Sequence, residues 1–157
     1  MAIIILGKSP CALCGEILRA SDDVVALPAF SYGKADPLWV FNDAGLHNRC
    51  LAADPRRSLV EEVVEELHAR AGPGHRICVV CEEEVAHYAE HVMIPRLAHD
   101  EKHPLHRYRY THLHRACVRQ WGDVDHALDL LRKADQDGIA GLETLIETLE
   151  DHGSDVD

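Results

Sequence analysis

A chain of 157 residues, 46% hydrophobic, poor in aromatics and with a formal net charge of −11, has room for one or two small soluble domains. No stretch approaches the roughly 20 apolar residues that a membrane-spanning helix needs, and so negative a field opposes nucleic acid over the protein as a whole. The charge is uneven. Residues 123–157 carry two positive and eleven negative side chains, whereas residues 76–122 carry seven and six, the positive ones including Lys102, Arg107, Arg109, Arg115 and Arg119. Seven of the twelve histidines fall between His87 and His114.

In chain order, "AIIIL" (2–6) predicts a short strand leading into "CALC" (11–14), and Gly15 after it gives the permissive backbone of a tight metal knuckle. The first ten residues have no basic region and only a four-residue apolar run. They predict no secretory signal, a cytoplasmic compartment, and cysteines kept as thiols. "DDVVALPAF" (22–30) and "LWVF" (38–41), separated by "SYGKADP" (31–37), predict a hairpin. In "GLHNRCLAAD" (45–54), His47 and Cys50 stand three apart, on one face of a helical first turn. Asp54-Pro55 then predicts a helix start, with Val60, Val63, Val64 and Leu67 at helical spacing, Glu61, Glu62, Glu65 and Glu66 as a solvated face, and Gly72-Pro73-Gly74 as the stop.

The same order then returns. "CVVC" (78–81) repeats the first clip, "EHVMIPRL" lies over "DDVVALPAF", and "HPLHRYRYTHLHRAC" (103–117) lies over "DPLWVFNDAGLHNRC" (36–50). Cys78, Cys81, His114 and Cys117 follow Cys11, Cys14, His47 and Cys50 at one constant offset, and at that same offset apolar Leu105, Tyr108 and Leu113 match Leu38, Phe41 and Leu46. The chain is an internal duplication built on a C-x2-C-x32-H-x2-C frame that uses all six cysteines. Three thiolates and one imidazole are a tetrahedral donor set for Zn2+, and four protein ligands leave no open position for water. Two structural zinc ions per chain are predicted, on Cys11, Cys14, His47 and Cys50 and on Cys78, Cys81, His114 and Cys117. Pairs exchanged between the frames are compatible with the spacing, but strict register favours self-contained units. A repeat of this size buries too little apolar surface to be secure alone, so metal binding and folding should be coupled.

A knuckle, a hairpin and a helix delivering the last two ligands resemble the treble-clef zinc-finger superfamily over about residues 3–122, and the tandem C-x2-C and H-x2-C halves are similar to those of LIM domains. The spacing differs from LIM, since the whole of 51–77 separates Cys50 from Cys78. The resemblance implies an α+β fold of two duplicated treble-clef units, each a small β-hairpin plus helix, serving as a rigid platform for another macromolecule. The organisation read here is a first zinc unit at 1–54, a connecting helix and linker at 55–74, a second zinc unit at 75–122, and a C-terminal helical hairpin with an acidic tail at 123–157. In that arm, Val124, Ala127, Leu128 and Leu131 form one apolar stripe and Leu142, Leu145, Ile146 and Leu149 another beyond a helix break at Gly138; such stripes are expected to pack onto the fingers. "DQDGIAGLE" does not fit a calcium loop, because Lys133 and Thr144 would stand where carboxylates are required.

"AEHVMIP" (89–95) resembles the D-H-I-x-P stretch of HNH endonucleases, with Glu90 where that family has Asp and no Asn at the family's hairpin position. The resemblance would make His91 a general base, with metal ligands from histidines such as His87 or His112. The bottom-up expectation for His91 is a surface residue on a β-strand. "HPLHRYRYTHLHR" (103–115) is expected to be a period-two strand with one exposed face, although its cationic and aromatic interleaving could also stack on bases. His87, His91, His99, His103 and His106 could bind a further metal. No phosphate loop, nucleophile elbow or paired-carboxylate set is evident, and no small-molecule substrate is implied. The expected function is a non-catalytic, zinc-binding protein-interaction module whose acidic surface suits a basic partner. The alternative is a nucleic-acid-binding zinc finger or degenerate HNH-like nuclease working through its second unit.

Overall fold

In the computed structural model the described residues are 3–31, 36–98, 100–137, 139 and 141–151. Residues 32–35 of the "SYGKADP" loop, His99, the expected helix break at Gly138 and the acidic end from 152 lie outside them. The chain forms two compact units, one holding the described residues up to His68 and the other those from Ala69 onward.

In unit 1, β1 (Val24–Ala26) pairs antiparallel with β2 (Gly45–His47), Val24 lying opposite His47. The short helix α1 (Asn48–Ala53) follows at once. A second helix, α2 (Arg57–Ala71), is anchored at its start by Asp54, whose Oδ1 accepts from Arg56 N at 2.9 Å. Val60 and Val63 of α2 enter a core that contains Leu18, Phe30, Leu38, Phe41 and Leu46.

Two expectations for this unit are corrected. Residues 3–5 form no strand, because the Ile5 carbonyl accepts from both Lys8 N and Ser9 N and closes a turn through Gly7. "LWVF" is not a strand either: Trp39–Phe41 is a 3-10 helix. Pro37 pre-sets a helical φ, and Asp36 Oδ1 takes the Leu38 N–H at 2.8 Å. The turn places Leu38 and Phe41, three apart, into the core and leaves Trp39 outside. The hairpin partner of β1 is therefore β2, which carries His47.

Unit 2 repeats this plan. β3 (His91–Ile94) pairs antiparallel with β4 (Thr111–His114), with His91 opposite His114 and Met93 opposite His112. Alternation sends Val92, Ile94 and Leu113 into the core and sets His91, His112 and His114 on the other face. "HPLHRYRY" is corrected in the same way as "LWVF": Pro104–Tyr108 is a 3-10 helix that buries Leu105 and Tyr108. His103, the repeat equivalent of Asp36, does the same capping work, its Nδ1 accepting from Leu105 N at 3.2 Å. Strand structure resumes only at Thr111; β4 ends on the ligand His114, and Cys117 follows on a further 3-10 helix, Arg115–Gln120, as β2 ends on His47 and α1 carries Cys50 in unit 1, so the helix delivers one ligand of each pair and not the two expected.

The C-terminal stripes pack onto this unit. Helix α3 (Val124–Gln136) buries Ala127, Leu128, Leu131 and Ala134, and α4 (Glu143–Asp151) buries Leu149, with Leu142 just before it, in one cluster with Val92, Ile94, Leu105 and Leu113. No described helix is long and apolar enough to cross a membrane.

Candidate metal centres

Each C-x2-C clip is a turn that folds its backbone N–H groups toward the first sulfur. In unit 1, Cys11 N bonds Glu16 O at 2.8 Å and Gly15 N bonds Cys11 O at 2.9 Å, with Gly15 at φ 76°. In unit 2, Cys78 N bonds Glu83 O and Glu82 N bonds Cys78 O, each at 2.9 Å, with Glu82 at φ 62°. The hairpin approaches alongside: Ala12 N bonds Gly45 O at 3.1 Å, and at the equivalent place in unit 2 Val79 N bonds His112 O at 3.0 Å. The next backbone N–H then reaches the first sulfur, His47 N at 3.5 Å from Cys11 Sγ and His114 N at 3.3 Å from Cys78 Sγ.

The donors converge within each unit. Cys11, Cys14, His47 and Cys50 form one set and Cys78, Cys81, His114 and Cys117 the other, and within each set one ligand atom per residue lies within 4.8 Å of the rest. The wiring is thus in line, with no exchange of pairs between units. Nδ1 is the inward nitrogen of both histidines, His47 Nδ1 standing 3.5 Å from Cys14 Sγ and His114 Nδ1 3.3 Å from Cys81 Sγ. All six cysteines are unbridged.

The electrostatics fit a divalent cation. Burial raises the Cys11 thiol, but the backbone N–H groups of Cys14, His47 and Leu13 outweigh it and bring the group down to about 6. Cys78 is brought to about 6 by the equivalent groups, Cys81, His114 and Val80. The last thiol of each set moves the opposite way: burial and then the neighbouring sulfurs raise Cys50, and push Cys117 up to about 11. Three sulfurs packed this closely repel a third negative charge until a cation sits among them. Sulfur and nitrogen donors in a four-membered set are compatible with zinc, for which all four coordination positions would be filled by protein. The two sites therefore describe a metal-binding module, each with four donors that would hold an ion.

The remaining histidines do something else. His91 Nε2 lies 2.8 Å from His112 Nδ1, and His112 Nε2 lies 2.8 Å from the Arg70 carbonyl. A carbonyl can only accept, so His112 carries its proton on Nε2 and receives the His91 Nε2 proton on Nδ1. Both nitrogens of buried His112 are engaged, which leaves neither for the metal-ligand role raised by the HNH resemblance. His91 is half-buried and hydrogen-bonded, not the surface residue expected. Burial first, then the charge of His112, lowers His91 to about 4. His103 is the cap described above, and His87 is exposed. Among the described residues, the two Cys3His sets are the groups whose donor atoms converge.

Three residues beside the first centre were not singled out from sequence. Asp22 Oδ2 accepts from His47 Nε2 at 3.2 Å, and Arg49 Nη2 reaches Glu16 Oε2 at 3.1 Å beside Cys14 and Cys50. The signal available was a difference between repeats, since Ala89 and Ala116 occupy the positions equivalent to Asp22 and Arg49. Comparison with protein-family models, with curated proteins and with solved structures finds no match for this chain.

Proposed function

We propose that the chain is a non-catalytic tandem zinc finger of treble-clef type that serves as a scaffold for a protein partner. The observation that carries this reading is the pair of four-donor sets, each closed by protein ligands within its own unit. A centre with no open position stabilises a fold and does not activate water. The order of knuckle, antiparallel hairpin and helical turn in both units supports the treble-clef assignment.

The chemistry of the partner follows from the C-terminal arm. Its apolar stripes are used up inside unit 2, and its outward side chains are mainly acidic: Asp125, Asp129, Glu143, Glu147 and Glu150 are exposed, with Arg132 pairing Asp129 and Glu150. A basic protein surface complements such a face, and complementary charge speeds and selects encounters. The chain would act as an adaptor, regulator or inhibitor of that partner.

Native mass spectrometry of the chain recovered gently from its host tests both halves together. Two zinc ions per chain and a stoichiometric protein companion are expected. A metal-free chain would overturn the scaffold reading, and zinc with bound nucleic acid would replace the protein partner with the alternative read from sequence.

A further inference from the structure

The two centres share a frame but differ in what surrounds it. In unit 1, His47 is buried, 3% exposed, and its outward Nε2 donates to Asp22 Oδ2 at 3.2 Å. Asp22 is itself held by Arg19 N at 2.7 Å from the same oxygen. A carboxylate on the far nitrogen of a ligating imidazole fixes the ring and makes it a better donor, and losing such a partner typically costs about 10–100-fold in metal affinity. Across the centre, the Arg49 guanidinium bonds Glu16 beside Cys50, bringing positive charge toward a set that would be net negative with zinc. A cavity of about 430 Å3 adjoins this centre, and its wall includes Glu16, Asp22 and Arg49 but no cysteine.

Unit 2 differs at both positions: Ala89 and Ala116 stand where the repeat would place a carboxylate and a guanidinium. His114 is only half-buried, and among the described residues no group accepts from its Nε2. The adjoining cavity is larger, about 600 Å3, and two of the sulfur ligands, Cys81 and Cys117, line it. A competing ligand entering there meets two sulfurs among Glu83, Glu90 and Arg115; in the unit 1 cavity it meets Glu16, Asp22 and Arg49, although Cys14, like Cys81, is exposed to solvent.

We infer that the two centres are unequal by construction: unit 1 holds a permanent metal staple, whereas unit 2 is an exchangeable site that yields its metal to a competing soft-donor ligand through the open cavity. Asp22 is a positioning residue in this scheme, acting through His47. The inference rests on the zinc-scaffold reading above. It goes further by making the fold of unit 2, and any surface that unit 2 presents, dependent on available metal.

The test uses the full chain loaded with two zinc ions and titrated with a chromophoric zinc chelator. Thiols freed at each step are trapped with N-ethylmaleimide and mapped by peptide mass spectrometry. Release in two steps, about 10–100-fold apart in chelator, is expected, with Cys78, Cys81 and Cys117 labelled before Cys11, Cys14 and Cys50. Asp22→Ala should move the unit 1 step toward that of unit 2 without shifting the latter. Asp22→Asn, which keeps an acceptor, should retain part of the gap, an effect that a general loss of fold would not produce. Release in one step, or labelling of unit 1 first, overturns the inference while leaving the zinc reading intact. A chain that takes up no zinc fails earlier, at the loading mass, and removes both.

Discussion

Glu82 holds the same left-handed backbone as Gly15, its equivalent in the first repeat, with φ 62° against 76°. Duplication has kept the knuckle and not the residue that makes it cheap. An L side chain in this region costs roughly 1–2 kcal/mol, and a Cβ at Gly15 would meet nothing within 4 Å. Gly15→Ala should therefore lower the stability of the zinc-loaded protein by about 1 kcal/mol through backbone strain alone. Glu82→Gly should relieve that strain and recover up to about 1 kcal/mol, less what glycine adds to the entropy of the unfolded chain. Denaturant melts of both variants check this, and a neutral Gly15→Ala would show that the knuckle does not depend on glycine.

The metal frame was legible because ligand spacing is one-dimensional: two H-x2-C and two C-x2-C halves at one constant offset can be read without knowing any contact. The 3-10 helices were not. "LWVF" is four apolar residues in a row, which strand and helix periods fit equally; what decides is Asp36 capping Leu38 N beside Pro37, a contact between side chain and backbone. The equivalence of Asp36 and His103 is hidden further by the change of residue type, although each supplies an acceptor to the N–H two residues on. The role of Asp22 was hidden for a related reason: the repeats differ there, Asp22 against Ala89, but the difference has no meaning until the fold brings the carboxylate to His47.

Cys14→Ser and Cys81→Ser should each reduce the zinc content from two to one, because the donor sets are separate. Structural zinc contributes apparent folding energies on the order of 10 kcal/mol in isolated fingers, more than a small unit can lose. Each substitution should unfold its own unit and leave the other's cysteines protected from alkylation. Native mass spectrometry with chelator-dependent melts gives the answer, and a variant that keeps two zinc ions would show that the replaced cysteine is not a ligand.

His91→Ala and His112→Ala should differ in cost. His112 is 3% exposed and serves two partners, so its loss strands the Arg70 carbonyl and the His91 N–H, at about 1–3 kcal/mol. Removing His91 deprives His112 of one donor only, at about 1 kcal/mol. Thermal melts of the two zinc-loaded variants should rank them in that order, and a His91→Ala loss equal to that of His112→Ala would break the chain of bonds assigned here.

Asp54 supplies a pH prediction. The Arg56 side chain, and then its backbone N–H, hold the Asp54 carboxyl down at about 2 against an ordinary 3.8. A carboxylate with a depressed folded value contributes stability fully above its unfolded value and loses it only as pH falls toward the folded one. Asp54→Asn removes a twofold carboxylate–guanidinium contact and weakens the start of α2, for about 1–2 kcal/mol. That cost should be the same at pH 8 and at pH 5, since Asp54 stays charged across the window. A cost that shrinks by pH 5 would mean that the carboxylate titrates far above where Arg56 should hold it.

The C-terminal arm is the remaining place where the fold can be broken selectively. Leu131 is fully buried in the cluster that contains Ile94, Leu105 and Leu113, so α3 completes the core under β3 and β4. Leu131→Ala should cost about 2–5 kcal/mol as a cavity-forming substitution. A structural metal site generally forms only as the chain folds, so the loss should appear as weaker zinc retention and faster alkylation of Cys78, Cys81 and Cys117, with Cys11, Cys14 and Cys50 unchanged. A variant that melts earlier with unaltered protection at unit 2 would separate the arm from the metal centre, and would mean that its helices stabilise only each other.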